Sequence, residues 1–173
     1  MWSYDKKLQF PVKIKTPNAG YAKIIISQLG GPDGELGAAM RYLHQRYSMP
    51  YDKVRGILTD VGTEELAHLE MIAAILYQLT RNLTPDEIKK AGMDAYFVDH
   101  TAGIYPVAAS GVPFDMKYVG VKGDAIADLN EDLAADAAIS KEQPWREKSR
   151  KPLKYKAFSH LGKTLKKRHP AII

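Results

Sequence analysis

The sequence predicts an all-α helical bundle, and three observations carry that prediction. Apolar residues recur at three- and four-residue spacing over long stretches of the 173-residue chain. Gly, Pro and capping residues fall between those stretches rather than inside them. One long stretch carries a carboxylate and an imidazole a single helical turn apart, Glu65 and His68.

Residues 1–18 read as extended or irregular, with Pro11 and Pro17 as breakers. From Ala19 the pattern turns helical, through Tyr21, Ile24, Ile25, Gln28 and Leu29. This shorter helix is either continuous with the next one or separated from it at Gly30-Gly31. The next helix is expected over Pro32 to Tyr47, with Leu36, Met40, Leu43 and Tyr47 as its apolar stripe and Pro32 in its first turn. Ser48-Met49-Pro50 is a turn.

A second long helix is expected from Tyr51 to Thr80. Val54, Ile57, Leu58, Val61, Glu65, His68, Ile72, Ile75 and Leu79 share its broad inner face. Thr84-Pro85-Asp86-Glu87 combines an N-cap, a proline at the first helical position and an acidic first turn, so a short helix follows to Lys90. Residues 92–123 show no clean period and read as a long crossover connection, a kind of loop that is usually functional or interfacial. A third long helix starts at Gly123-Asp124, with Ile126, Leu129, Leu133 and Ala137 on one stripe.

After Ile139 the composition changes. Residues 140–173 hold 11 Lys and Arg against Glu142 and Glu147, a net +9. The remaining 14 basic and 18 acidic groups leave residues 1–139 at −4. Two segments follow: a bundle over 1–139 and a basic tail over 140–173. An acidic body argues against a general nucleic-acid binder; the tail reads first as a solvated, mobile segment and second as a docking surface for phosphate or an acidic protein. The chain has no cysteine, which excludes disulfides, thiolate metal sites and a cysteine nucleophile. The N-terminus lacks the apolar run of a secretory signal, and the greasiest segment, Met71 to Leu79, is too short to span a bilayer. The expectation is a protein that is neither membrane-bound nor exported by a signal peptide.

A Glu-x-x-His on a helix is half of a two-metal carboxylate site in ferritin-like bundles. Alone it is weak, since a partly buried helix face with a hydrogen-bonded histidine would look the same. Glu35 strengthens it, lying among small residues that let helices approach closely. Tyr42, seven residues on, falls on the same stripe and can donate a hydrogen bond to a ligating carboxylate. Taken singly, Glu35 reads as a solvated carboxylate and Tyr42 as a core aromatic. On the third helix, Asp128, Asp132 and Asp136 form an i, i+4, i+8 row, of which any one can point inward; Asp128 and Glu131 are expected on a solvated acidic face. No second Glu-x-x-His exists, and His44 faces away from Glu35. His100 reads as a polar loop residue, and His160 and His169 belong to the basic tail.

Longer motifs add a family likeness. Lys7-Leu8-Gln9-Phe10-Pro11-Val12-Lys13, Gly30-Gly31-x-x-Gly34-Glu35, Arg41-Tyr42-Leu43, Gly62-Thr63-Glu64-Glu65-x-Ala67-His68-x-Glu70-Met71 and Gly123-Asp124-x-Ile126-Ala127-Asp128-Leu129 resemble the manganese catalases. Within that family the likeness is to the short spore-coat CotJC branch, over residues 1 to about 136. The resemblance implies a ferritin-like four-helix bundle, with the fourth helix missing or replaced by the basic tail. It implies dismutation of hydrogen peroxide at a site of two manganese ions per chain, a count that the incomplete ligand set leaves open to one or none here. Glu35, Glu65 and His68 match family ligands, Tyr42 matches the outer-shell tyrosine, and the third-helix ligand falls on Asp136, one methylene shorter than the family's Glu. It further implies a homo-oligomer and, in the coat branch, other spore-coat proteins as partners, with a cytoplasmic or spore-coat location. The family's second imidazole ligand is not recognisable, and the switch in character at 136–140 reads as divergence or a shifted reading frame.

Overall fold

The computed structural model describes residues 5, 7–93, 112 and 114–142, the last seven of these by backbone alone. Among the described residues every regular element is helical. The order is α1 (Ala19–Gly30), α2 (Glu35–Gln45), α3 (Asp52–Thr80), α4 (Pro85–Lys90), a one-turn 3₁₀ helix (Met116–Tyr118) and α5 (Ala125–Glu142). No helix among the described residues is long and apolar enough to cross a membrane.

Helix α3 is the spine. Its 29 residues make a rod about 44 Å long at 1.5 Å per residue. Helices α1 and α2 pack along it, and α5 packs against α2. Two apolar clusters form on it. Val54, Leu58 and Val61 join Ala38, Tyr42 and Met49 with Leu129 of α5. Further along, Ile72, Leu76 and Leu79 join Ala22, Ile26 and Leu29 of α1 with Ile88 and Met93. Glu65 and His68 fall between these two clusters, at the waist of the rod.

The helix ends follow their local chemistry. Asn18 Oδ1 accepts from the Tyr21 amide at the start of α1. At α4 the expected cap is present: Thr84 Oγ1 accepts from the Glu87 amide, and Glu87 Oε2 accepts from the Thr84 amide. Asp124 Oδ1 accepts from the Ile126 and Ala127 amides, starting α5 where the sequence places it.

Three expectations are corrected. Helix α2 begins at Glu35, not Pro32, and ends at Gln45. The chain breaks at Gly31–Gly34, where a β-carbon on Gly34 would lie 2.6 Å from Ser27 O and 2.9 Å from Gln28 O. So close an approach between consecutive helices turns the chain before α2 can start. The most buried face of α2 is also not the Leu36–Met40–Leu43–Tyr47 stripe, of which Leu43 does reach α3 at Gly62 but Tyr47 does not. Glu35, Ala38, Ala39, Arg41, Tyr42 and Gln45 are buried, while Tyr47 is exposed. On α1 the buried row is Ala22, Ile26 and Leu29, and Tyr21 and Ile24 face outward. Small and polar residues take the inner positions because the helices are close and the buried polar groups find partners there.

Asp128 and Glu131 are the third correction. Asp128 is fully buried, and its carboxylate accepts from the Lys122 and Gly123 amides at 2.8 and 3.2 Å. Glu131 accepts from Arg41 Nε and from the Gly120 amide, each at 3.1 Å. The segment just before α5 folds back over Asp128 and buries it, while Glu131 stays partly exposed but is held by Arg41 of α2 and the Gly120 amide.

Residues 10–18 form an irregular strap beside α3. Gln78 binds it as a neighbouring strand would: the Ile14 amide donates to Gln78 Oε1 at 2.7 Å, and Gln78 Nε2 donates to Val12 O at 2.9 Å. Arg81 adds a bond to Ile14 O at 2.7 Å, and the Asn18 amide donates to Leu79 O at 2.8 Å.

Candidate metal centre

The break at Gly34 sets Glu35 at the first position of α2, facing α3. On α3, Gly62 gives way to the neighbouring helix: a β-carbon there would lie 2.8 Å from Leu43 Cγ. One turn later come Glu65 and His68, at i and i+3 on the same face. Glu35, Glu65 and His68 therefore meet, and one donor atom from each lies within 4.8 Å of the others.

His68 Nδ1 is 2.7 Å from Glu65 Oε2 and 3.5 Å from Glu35 Oε2. The exposed Glu64 is more distant, with Oε1 3.9 Å from His68 Nε2. Glu35 and Glu65 are 1% and 0% exposed, which excludes the reading of Glu35 as a solvated helix carboxylate. Burial alone would push the His68 pKa down. Its hydrogen bonds to Glu35 and Glu65, and their charges, outweigh that and raise it to about 9.

Two carboxyl groups facing one imidazole leave a net negative charge in this buried site whenever both are ionised, even with His68 protonated. Such charge is costly unless a cation offsets it. Two carboxylates and an imidazole are a donor set suited to a divalent transition metal such as manganese, iron or zinc. The three residues thus fit a bound cation by chemistry, burial and convergence.

Beside them is a cavity of about 210 Å³, walled by Glu35 and His68, by Phe10, Pro11 and Val12 of the strap, and by Met71, Ile72 and Ile75 of α3. Spacing along the chain does not place the strap in this wall; its signals are the apolar run Phe10-Pro11-Val12 and its share in the family likeness.

Tyr42 is buried in the cluster shared by α2, α3 and α5. Asp136 lies on α5, and its side chain is outside the described residues. His44 is exposed on α2, with Nδ1 2.6 Å from Met40 O, away from the site as its spacing predicts. His100, His160, His169 and nearly all of the basic tail, 143–173, also lie outside the described residues.

Fold and site together define a helical bundle with a buried carboxylate–imidazole centre fitted to a divalent cation. Comparison with known proteins makes the class specific. The chain belongs to the manganese-containing catalase family, which it matches over residues 1–145, slightly beyond the limit of about 136 read from the motifs. It is 52% identical over 145 residues to protein CotJC of Bacillus subtilis, covering 84% of this chain and 76% of that protein. It is 35% identical over 140 residues to a probable manganese catalase of Clostridium acetobutylicum, covering 79% of this chain and 61% of that one. The chain thus spans less than two thirds of the latter relative's length. In three dimensions it superposes on KatB, a manganese catalase from Anabaena, with a TM-score of 0.74 at 22% identity, covering 99% of this chain and 81% of that one. This likeness identifies the ferritin-like helical fold expected from the motifs.

Proposed function

We propose that the chain holds manganese between α2 and α3 and converts hydrogen peroxide to water and oxygen, 2 H2O2 → 2 H2O + O2. The observation that carries this reading is the convergence of buried Glu35, Glu65 and His68. Family membership supports manganese and peroxide. Bound manganese supplies the reversible one-electron oxidation steps that the side chains alone lack.

The chain's own residues do the rest. Glu35, Glu65 and His68 hold the ion, and Asp136 offers a further carboxylate from α5. Tyr42 steadies a ligating carboxylate by hydrogen bonding. Oxidation of one peroxide releases two protons and reduction of the next consumes two. The carboxylates of Glu35 and Glu65 are the groups placed to hold those protons in between. The cavity admits a small neutral oxidant to the edge of His68, and its apolar walls disfavour charged solutes.

A second reading is an assembly role in a spore coat with a vestigial site and coat proteins as partners, favoured by the 52% identity to CotJC. Oxygen evolution separates the two. Manganese-loaded chain should release oxygen from peroxide, and Glu65→Ala and His68→Ala should abolish it. No oxygen from the unaltered loaded chain would leave the assembly role standing.

A further inference from the structure

Met71 stands at i+3 from His68, one turn along the same face of α3. It shares the cavity wall with His68 and Glu35. Of the other described methionines, Met40 is half-buried as Met71 is, but does not line this cavity, and the remaining three set a scale of access. Met49 and Met93 are 1% and 0% exposed, each within one of the two core clusters. Met116 is 51% exposed. Met71 is half-buried but faces a space of about 210 Å³, several times the roughly 30 Å³ that a water molecule occupies in the liquid.

We propose that Met71 is an oxidation site for hydrogen peroxide within the access cavity, and that its sulfoxide is a self-limiting modification of the metal centre. The thioether lone pair attacks one oxygen of the peroxide. The O–O bond breaks as an S–O bond forms. The other oxygen leaves as hydroxide and takes the proton carried by the oxygen now bound to sulfur, which gives water and a neutral sulfoxide. Sulfur is oxidised by two electrons and the peroxide is reduced by two. The product places a strong acceptor among Phe10, Val12, Ile72 and Ile75. Phe10 and Pro11 already meet water at the rim, so the new acceptor draws water deeper, toward Val12, Ile72 and Ile75, and loosens the strap from α3. The inference rests on the reading of this cavity as the peroxide entry, but not on manganese being bound.

The experiment treats the full-length chain with graded hydrogen peroxide, quenches with added haem catalase, and measures each methionine sulfoxide by peptide mass spectrometry. Met71 is expected to oxidise within about threefold of the rate of Met116 and at least about tenfold faster than Met49 and Met93. Hydrogen exchange at residues 10–14 should rise in the oxidised chain and stay unchanged in Met71→Leu treated alike. Met71 lagging with Met49 and Met93 would overturn the site. An equal rise in exchange in Met71→Leu would overturn its consequence. Selective oxidation of Met71 in a chain that releases no oxygen would keep this inference and remove the catalase reading. Oxygen release without Met71 oxidation would do the reverse.

Discussion

Glu35 and His68 approach to 3.5 Å across the seam between α2 and α3, and Glu65 closes the group from the His68 side at 2.7 Å. An ion-pair network kept for stability and a metal site kept for binding would look alike in a list of contacts. They respond oppositely to the loss of one charge.

Glu35→Gln keeps the shape and removes one negative charge. If the group is a metal site, the metal-free chain should keep its urea midpoint or gain slightly, while manganese affinity falls at least about tenfold. If it is a structural network, breaking it should cost about 3–5 kcal/mol and metal should not matter. Urea unfolding with and without manganese, on both chains, reads the difference.

The pKa of His68, raised to about 9 from an ordinary 6.5, gives a signed pH dependence. Folding of the metal-free chain favours the protonated ring. That contribution is complete below about pH 6.5 and fades as pH rises toward 9. His68→Gln should flatten this part of the stability–pH curve. Manganese must displace the same proton, so its affinity should climb from pH 6.5 to 9, with about one proton released per ion bound near pH 7. Titration calorimetry in buffers of different ionisation enthalpy measures the release.

Gly34 fixes where Glu35 begins. Gly34→Ala drives a β-carbon against two backbone carbonyls that cannot swing aside. A loss of about 1–3 kcal/mol is expected, with weaker manganese binding because Glu35 moves. Gly56→Ala is the matched control, since its β-carbon would meet nothing within 4 Å; it should keep stability and metal binding.

Gln78 latches the strap that walls the cavity. It lies about 15 Å along α3 from His68, so it acts on the site only through residues 10–14. Gln78→Leu leaves Val12 O and the Ile14 amide without their partner, a loss of about 1–3 kcal/mol if they stay buried. Hydrogen exchange should rise at residues 12–15 and remain unchanged in the middle of α3. The absence of cysteine permits a cleaner check: a single Val12→Cys reporter should label faster in the Gln78→Leu background.

What the sequence could reveal follows from distance along the chain. Glu65 and His68 were legible because one helical turn fixes their relation. The caps at Thr84 and Asp124 were legible because their partners lie two or three residues away. Glu35 joined the site only through small neighbours and family likeness, since α2 and α3 meet by tertiary packing. The faces of α1 and α2 were misread where aromatic and aliphatic side chains point outward and Arg41, Gln45 and Glu35 turn inward. Arg41 is buried because Glu131, Pro32 O and Tyr118 O receive it, and no spacing rule links residues 41 and 131. Asp128 shows the same limit: the spacing of the acidic row does not say which members turn inward, and the preceding turn covers Asp128.

The most direct test of the centre is metal content. The chain, stripped with chelator, reloaded with manganese and dialysed, should retain at least one ion per molecule by elemental analysis. Glu65→Ala and His68→Ala should retain a small fraction of that while keeping the helical circular dichroism of the parent. Retention unchanged in both variants, or no manganese held by the unaltered chain, would contradict the account.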